Sequence, residues 1–504
     1  MRRPPAVPDW FVRTWDRGAA PVPVHDVIRS AVTVPAVMVV AYAGWGAGVA
    51  VFASLSALLI VLSERGGTTG QRLLRSGVGL SAGILAQCLG LLTAGTGVVP
   101  LLAVLAFGLL SGLMSGVTSG LSWAAMQLIV QMAIAGGLQI PLALPDRVAA
   151  YVIGGAAALG GMLLQSALER TDRHYARSLD NAQASLDSWR ATNGEDRRRA
   201  RAAANRDLVA AAALILVARP FRARRRRLIR DARRRLTAIA AAGQELDQSL
   251  PPGSVSRTPI ASIPAGRILR HGLTSRETWS FVLRLEACLA VGELVRQLTP
   301  FGHSYWILLT IGLTLKPDVQ SVLSRTLQRA GGTLLGVGLA WVPPLLSPGY
   351  AIFPMIAALS APIPWSVRRN YAIFCILVTP LVLLILDFGG PVGLDVVLQR
   401  IVNTATGCVI VIVIGYLLWP TTWRPPISRW VSPAKGAAER YAEADPRSAD
   451  AVEARLELLA RTAELRERVA LASPEPSRVR RRVAVVADTA DLLDAPPDTD
   501  RHSS

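Results

Sequence analysis

The sequence predicts an all-α, polytopic membrane protein with about twelve transmembrane helices. Hydrophobic residues occupy 51% of the 504 positions and charged residues only 18%, which is less charge than a soluble chain normally carries. Mostly apolar runs of roughly 20 residues, the length that crosses a bilayer, recur over 27–168 and over 278–420. These observations exclude a soluble domain as the main body of the chain.

The apolar runs fall into two sets of six and predict two transmembrane repeats. The first repeat, 27–168, contains spans at 27–44, 46–62, 74–95, 97–113, 117–136 and 147–168. The second repeat, 278–420, contains spans at 278–297, 303–316, 329–346, 349–364, 370–387 and 398–419. Three polar segments accompany them: an N-terminal segment, a basic helical domain and a helical C-terminal tail, at 1–26, 169–277 and 421–504.

The distribution of positive charge predicts the orientation of the spans. The net charge is +19, and arginine is concentrated in 169–277. An even number of spans on either side of this block places it and both termini on one side of the membrane, and the positive-inside bias makes that side the cytoplasm. Arg147 and Arg400 break the bias, because both lie in predicted outer loops beside an aspartate. We therefore expect a multi-pass protein of the plasma (inner) membrane.

The basic block at 169–277 has two interpretations. It forms either a nucleic-acid-binding surface or a cytoplasmic domain close to anionic lipid headgroups. The block lacks interleaved aromatic residues that would stack on bases, so the lipid interpretation is favoured and no nucleic-acid partner is expected.

No sequence motif indicates an enzyme. The sequence contains no phosphate-binding loop, G-x-S-x-G turn, kinase signature or zinc-ligand spacing. The four cysteines lie in apolar runs. We predict no catalysis, no cofactor and no metal. Any pumping would use an ion gradient or an outside partner.

The two halves of the chain contain a shared pattern of arginines and glycines. Arg72, Gly79, Arg147 and Gly154 of the first half match, at one common offset, Arg325, Gly332, Arg400 and Gly407. Because each half has an even number of spans, the repeats should be parallel and related by an axis along the membrane normal. Close helix packing is the favoured role of the glycines.

The segment "PFGHSYWILLTIGLTLKPD", followed by "SRTLQRAGGTLLG", resembles the repeat signature of the fusaric acid resistance or aromatic acid exporter family. "RNYAIFCILVTPLVLL" resembles a later helix of the same unit. In the first half, Ala53 and Ala57 stand where Trp306 and Thr310 stand in the second. The resemblance implies an integral membrane transporter that exports small aromatic or other organic acids. The expected partners are the lipid bilayer, a small organic anion, a periplasmic or envelope protein and further copies of the chain.

One predicted span, "TWSFVLRLEACLAVGELVRQL", contains four ionisable residues. At about 100° per residue, Glu286 and Glu293 share a face, Arg296 can pair with Glu293, and Arg284 points away. Ionisable groups inside spans are candidates for function. We predict that Glu286 exchanges a proton, that Glu293 is the structural member of the pair, and that Arg284 and Arg296 attract an anion. The alternative is ion pairing that only fixes helix packing.

The segment with the family resemblance supplies the other anion-binding candidates, Arg325, Arg329, Trp306 and Thr310. Two alternatives remain open at this point. Arg325 and Arg329, like Arg72, could extend to lipid headgroups, and Trp306 could be an anchor at the outer interface. The alternative function is a non-transporting membrane scaffold whose basic domain binds lipid, protein or nucleic acid.

Overall fold

The structure is a computed structural model in which the chain forms two compact units. The first, here called the membrane unit, comprises 1–66, 72–168 and 266–423, and the second, the polar unit, comprises 67–71, 169–265 and 424–504. The structure describes residues 11, 14–15, 22, 24–63, 69–138, 140–168, 172–194, 196–218, 223–260, 264–299, 302–316, 322–340, 352–387, 393–419, 427–471 and 477–493. Within these ranges the regular structure is entirely helical, as predicted.

The first half of the membrane unit contains six helices. They are α1 Val24–Trp45, α2 Ala47–Ser63, α3 Thr69–Leu92, α4 Val98–Val117, α5 Ser119–Gly137 and α6 Leu144–Leu168. The turns between them contain residues that suit a helix end. Gly46, between α1 and α2, has a φ of 86°, which favours glycine. Thr118 caps α5 by accepting a hydrogen bond from the Leu121 amide.

The second half begins with a short amphipathic helix. Its helices are α10 Ala265–Thr274, α11 Arg276–Leu298, α12 Tyr305–Thr314, α13 Val322–Ala340, α14 Ile352–Ser360, α15 Ile363–Arg369, α16 Tyr371–Asp387 and α17 Leu394–Ile410. The last helix continues as a π-helical segment over Val411–Leu417. The helices numbered α7–α9 lie in the polar unit and are described with it below.

Five described helices have the length and composition to cross a membrane, namely Val24–Trp45, Gly70–Leu92, Val98–Val117, Leu144–Ser166 and Leu394–Leu417. Shorter apolar helices lie at Ala47–Ser63, Leu121–Gly137, Tyr305–Thr314 and Tyr371–Leu386. The predicted span at 349–364 differs from the structure, which has two short helices there, α14 and α15. Pro362 caps the second of them and prevents one continuous helix.

Helices of the two halves pack against each other in reciprocal pairs. α1 of the first half packs on α14 of the second, and α11 of the second packs on α4 of the first. Likewise α5 packs on α12, and α16 packs on α2. Ser30 and Ser360 join α1 to α14, because each hydroxyl donates to the other residue's carbonyl, at 2.6 and 3.1 Å.

Glycines permit the closest helix contacts within each half. Gly154 on α6 faces the carbonyl oxygen of Ala53 on α2 so closely that an added Cβ would collide with it. Gly407 on α17 faces α12 in the same manner, since an added Cβ would lie 3.0 Å from the Ile307 oxygen. The matched glycines therefore both serve close packing against the second helix of their half.

We expect Gly154→Ala to destabilise the membrane unit by about 1–3 kcal/mol, because the new methyl group overpacks a backbone contact. Gly160→Ala is the matched control on the same helix, as no atom lies within 4 Å of its added Cβ. The thermal midpoint of the purified full chain should fall for the first variant and stay nearly unchanged for the second. Equal midpoints would show that α2 and α6 are not packed as described.

The polar unit combines the central block with the C-terminal tail. Its helices are α7 Asp172–Ala191, α8 Asp196–Leu216, α9 Ala223–Asp247, α18 Ile427–Glu443, α19 Ala449–Leu471 and α20 Ser477–Leu493. Val452 and Leu456 of α19 are buried in the same apolar core as Leu208 of α8 and Leu236 of α9. Segments far apart in sequence therefore form one unit.

A buried ion network joins the tail to the central block. Asp247 on α9 accepts hydrogen bonds from Arg201 Nε at 2.7 Å and from Arg455 Nε at 3.3 Å. Arg455 also donates to Asn205 Oδ1 at 2.9 Å. Burial alone would raise the pKa of Asp247, but Arg455 and Arg201 outweigh it and hold the pKa below its ordinary value.

Asp247→Asn should destabilise the polar unit by about 3–5 kcal/mol, because it leaves two arginine partners without their carboxylate. The wild-type contribution requires ionised Asp247, so it is present above the unfolded-state pKa and is lost as the pH falls through the lower folded-state value. Hydrogen exchange of α9 in the full chain measures both effects. Asp187→Asn is the control, because Asp187 pairs with Arg190 but is 55% exposed. This substitution should change the free energy of unfolding by under about 0.5 kcal/mol.

Candidate functional site

Glu293 and Arg296 form the ion pair expected from the sequence. Arg296 Nε donates to Glu293 Oε2 at 2.7 Å, and its Nη2 donates to Oε1 at 2.6 Å. Gln297 adds a third hydrogen bond to Glu293, at 2.8 Å, and Arg296 also binds the Gly95 carbonyl at 2.7 Å. Glu293 is buried and fully engaged, which suits the predicted structural role.

Glu286 lies in a different environment on the same helix, at the contact between α11 and α4. A Cβ added at Gly108 of α4 would lie 2.5 Å from Glu286 Oε1, so the glycine makes room for the carboxyl group. This buried oxygen has no hydrogen-bond partner among the described residues. Arg284, two positions away, instead lies over the Phe281 ring at 5.7 Å. Glu286 is thus a half-buried carboxyl group without the cation that Glu293 has.

Three arginines of the second half are buried inside the membrane unit. Arg325, Arg329 and Arg400, here called the arginine cluster, are only 2%, 1% and 4% exposed. Arg325 and Arg329 lie one turn apart on α13, which packs on α17, the helix of Arg400. The expectation that Arg325 and Arg329 extend to headgroups is therefore wrong, because tertiary packing encloses them.

The partners of the arginine cluster are aromatic rings, a thiol and a backbone carbonyl. Arg325 donates to the Leu313 oxygen at 3.0 Å and lies over the Tyr371 ring at 4.6 Å. Arg329 donates to Cys375 Sγ at 3.7 Å. Over the described ranges, no carboxylate forms an ion pair with any member of the cluster. The Pro-Asp turn of the family-like segment lies in 317–321, outside the described residues.

Several donor atoms of the arginine cluster face no acceptor among the described residues. They are Nε and Nη1 of Arg325, Nε of Arg329 and Nε of Arg400. A buried guanidinium that has neither its hydrogen bonds nor a counter-charge is costly, so the region favours an added anion.

Trp306 is part of this region and not an interfacial anchor. It is 1% exposed, stacked against His303 at 5.2 Å between ring centroids, with the Arg400 guanidinium 4.4 Å from its ring centre. The anchor interpretation is wrong because α17 brings Arg400 onto the indole. Thr310 is buried too, and its hydroxyl donates to the Trp306 carbonyl at 2.8 Å. Its role as an anion ligand remains a prediction.

Arg147 and Arg400 do not lie free in outer loops as the sequence suggested. Arg147 is 5% exposed, donates to the carbonyls of Ile140 and Leu142 at 2.6 and 3.1 Å, and lies over the Phe52 ring at 5.0 Å. Both arginines thus pack on an aromatic ring of the second helix in their half.

The first half matches two of the three cluster arginines, with Arg72 at the position of Arg325 and Arg147 at that of Arg400. Its buried Arg72 has a counter-charge in Asp26, 3.9 Å away, which also accepts a 2.9 Å hydrogen bond from Arg368. At the position matching Arg329 the first half has Ser76. Arg72 therefore has a carboxylate partner that Arg325 does not have among the described residues.

Two cavities of the membrane unit lie elsewhere. One of about 30 Å³, enough for water but not for an aromatic acid, is lined by Glu293, Arg296, Tyr305 and neighbouring small residues. Another, of about 490 Å³, is lined mainly by apolar side chains of α3 and α4. Neither is lined by the arginine cluster.

Part of the second half of the membrane unit is similar to a known family of proteins. Residues 288–414 match the family model described as "Fusaric acid resistance protein-like", which confirms the resemblance over that stretch. Over 218 residues the chain is 27% identical to "Inner membrane protein YccS" of Escherichia coli (strain K12), covering 41% of this chain and 30% of that protein.

A second relative is the "Uncharacterized membrane protein YvaC" of Bacillus subtilis (strain 168), 35% identical over 124 residues, which are 24% of this chain and 20% of that protein. The chain thus matches less than a third of the length of these curated relatives. No solved structure matches it.

Proposed function

We propose that this chain is a secondary transporter that exports small organic acids, aromatic acids in particular, across the inner membrane. The observation that carries the proposal is the arginine cluster, which concentrates buried positive charge without a carboxylate among the described residues. A ligand carboxylate would supply the missing counter-charge and accept charge-assisted hydrogen bonds. The proposed direction, export, is taken from the exporter family that this chain resembles.

The rings beside the arginine cluster favour an aromatic ligand. Trp306 and Tyr371 each lie against a guanidinium, so an aromatic acid could stack on a ring while its carboxylate binds the arginine. Because the cluster is packed shut in this conformation, transport requires the surrounding helices to open.

Glu286 is the proposed coupling group. In its neutral form it fits the space left by Gly108 without a cation. The other charged groups on its own helix are Arg276 and Glu277 in the first turn, Arg284 over Phe281, and the mutually paired Glu293 and Arg296. Helix α4 carries no ionisable residue. An ionised Glu286 would be costly in that contact, so deprotonation favours separation of α4 from α11. Proton movement and helix movement would thereby be linked.

The proposed architecture is a pair of parallel six-helix repeats with both termini cytoplasmic. The reciprocal packing of α1 on α14 and of α11 on α4 supports it, as do the equivalent contacts of Gly154 and Gly407. Only the second repeat would then bind the anion, since the first lacks counterparts of Trp306 and Arg329.

Export assays test this function. Cells with and without the gene would be loaded with a panel of aromatic carboxylic acids, their neutral amides and aliphatic acids. We expect gene-dependent efflux of aromatic acids that stops when the proton gradient is collapsed. Unchanged efflux of the whole panel would instead support a non-transporting scaffold.

A further inference from the structure

His303 covers the Trp306 ring at the end of the membrane unit where α12 begins. The imidazole stacks on the indole, with 5.2 Å between the ring centroids and 23° between the ring planes. Of the aromatic and charged groups beside the indole, Tyr305 and Arg400 are buried, whereas His303 is only half-buried. His303 is therefore the member of this set that extends from the indole to the surface.

Two side chains of α17 hold the imidazole in this place. His303 Nδ1 shares a hydrogen bond of 2.9 Å with Gln399 Oε1. Asn403, one turn further along α17, donates to the carbonyl oxygens of Gly302 at 3.3 Å and of His303 at 3.1 Å. The segment 302–304, here called the His303 lid, is thus fastened on both sides of Arg400.

The backbone and the exposure of the lid suit a segment that opens. His303 has a φ of 56°, a left-handed conformation that is uncommon for residues other than glycine, although histidine adopts it more readily than most. Gly302 lets the lid approach α17, since an added Cβ would lie 3.0 Å from Gln399 Oε1. Because the imidazole is half-buried, water can replace its hydrogen bond when the lid opens.

The groups beneath the lid suit an aromatic carboxylate. Arg400 lies 4.4 Å from the centre of the Trp306 ring, and its buried Nε faces no acceptor among the described residues. An aromatic acid whose ring replaced the imidazole on the indole could direct its carboxylate to this guanidinium. At the position that matches His303 the first half has Ala50, so a lid of this kind belongs to the half that contains the arginine cluster.

We propose that His303 occupies the place on Trp306 where the ring of the exported acid binds, and that the lid opens when the acid displaces the imidazole. This inference rests on the proposed function and assigns the ring-binding position within it. An aliphatic acid would have to open the lid without replacing the stacked ring, so the lid selects for flat aromatic acids.

Nuclear magnetic resonance of the purified full chain with isotope-labelled histidine tests the displacement directly. A proton that faces an aromatic ring is shifted upfield, so Trp306 should shift the imidazole signal of His303, which is assigned by its loss in His303→Asn. Saturating benzoate should remove this upfield shift. The signal of His271, which is exposed on α10, is the internal control and should not move.

Two variants weaken the closed lid in different ways and should both tighten benzoate binding. Asparagine in His303→Asn tolerates the left-handed backbone but has no ring to stack. Gln399→Ala keeps the imidazole and removes its hydrogen bond. Each should lower the Kd for benzoate about fivefold, because the ligand no longer displaces that contact. Thr406→Ala is the control on α17, since its hydroxyl donates to the Val402 carbonyl.

The outcomes separate the lid from the proposed function. An upfield shift that persists in saturating benzoate would overturn the lid and leave benzoate binding by the arginine cluster intact. Unchanged or weaker benzoate affinity in either lid variant, with an unaltered thermal midpoint, would do the same. Absence of saturable benzoate binding to the wild-type chain would contradict the proposed function, and the lid with it.

Discussion

Arg329→Met should abolish most anion transport while leaving the protein at least as stable as the wild type. The side chain is 1% exposed and donates a hydrogen bond to the Cys375 thiol. Replacing a buried, unneutralised charge by an apolar side chain of similar length is neutral or stabilising. Loss of a charge-assisted hydrogen bond to the ligand costs about 1.5–3 kcal/mol, or roughly a tenfold to hundredfold loss of transport efficiency.

The combination of retained stability and lost transport separates a ligand-binding role from a packing role. Arg72→Met is the matched control, because Arg72 is buried at the position that matches Arg325 but faces Asp26. It should lower the amount of folded protein and spare transport per folded molecule. Equal transport by folded wild type and Arg329→Met would remove Arg329 from the site.

Glu286→Gln should stop export driven by a proton gradient and leave the protein folded. The amide fits the space beside Gly108 much as a neutral carboxyl group does, but it cannot release a proton. Exchange of labelled for unlabelled acid across proteoliposome membranes, which needs no net proton movement, should continue. The expected effect is therefore a loss of the gradient-driven rate with exchange preserved.

Glu293→Gln supplies the contrast on the same helix. Glu293 accepts three hydrogen bonds and is the ion-pair partner of Arg296 among the described residues. Removing its charge should lower the free energy of unfolding by about 3–5 kcal/mol and so reduce the amount of folded protein. Gradient-driven export and exchange should then fall alike. Full gradient-driven export by well-expressed Glu286→Gln would argue that Glu286 only packs against α4.

Local features of the sequence were sufficient to predict one part of the site. Glu293 and Arg296 are three residues apart on one helix, so their pairing follows from helix geometry alone. The all-α class follows similarly from runs of apolar residues. The sequence also predicted close helix packing by Gly154 and Gly407, but not the helices that they contact.

Features that depend on tertiary contacts could not be predicted. The sequence predicts Arg400 in an outer loop, whereas α17 places its guanidinium against the Trp306 ring of α12. Tyr371 and Cys375 carry no distinctive pattern, yet they contact Arg325 and Arg329. For Arg400 the sequence did contain a signal, its match to Arg147, which indicates a common packing role for arginines at that position.

Binding of an aromatic carboxylate by the arginine cluster is tested most directly by equilibrium binding to the purified full chain. Benzoate and benzamide have the same ring and similar size, but only benzoate carries a negative charge at neutral pH. We predict saturable benzoate binding that weakens at least tenfold in Arg329→Met, with little benzamide binding to either protein. Equal binding of benzoate and benzamide, or benzoate binding unchanged by Arg329→Met, would contradict the account.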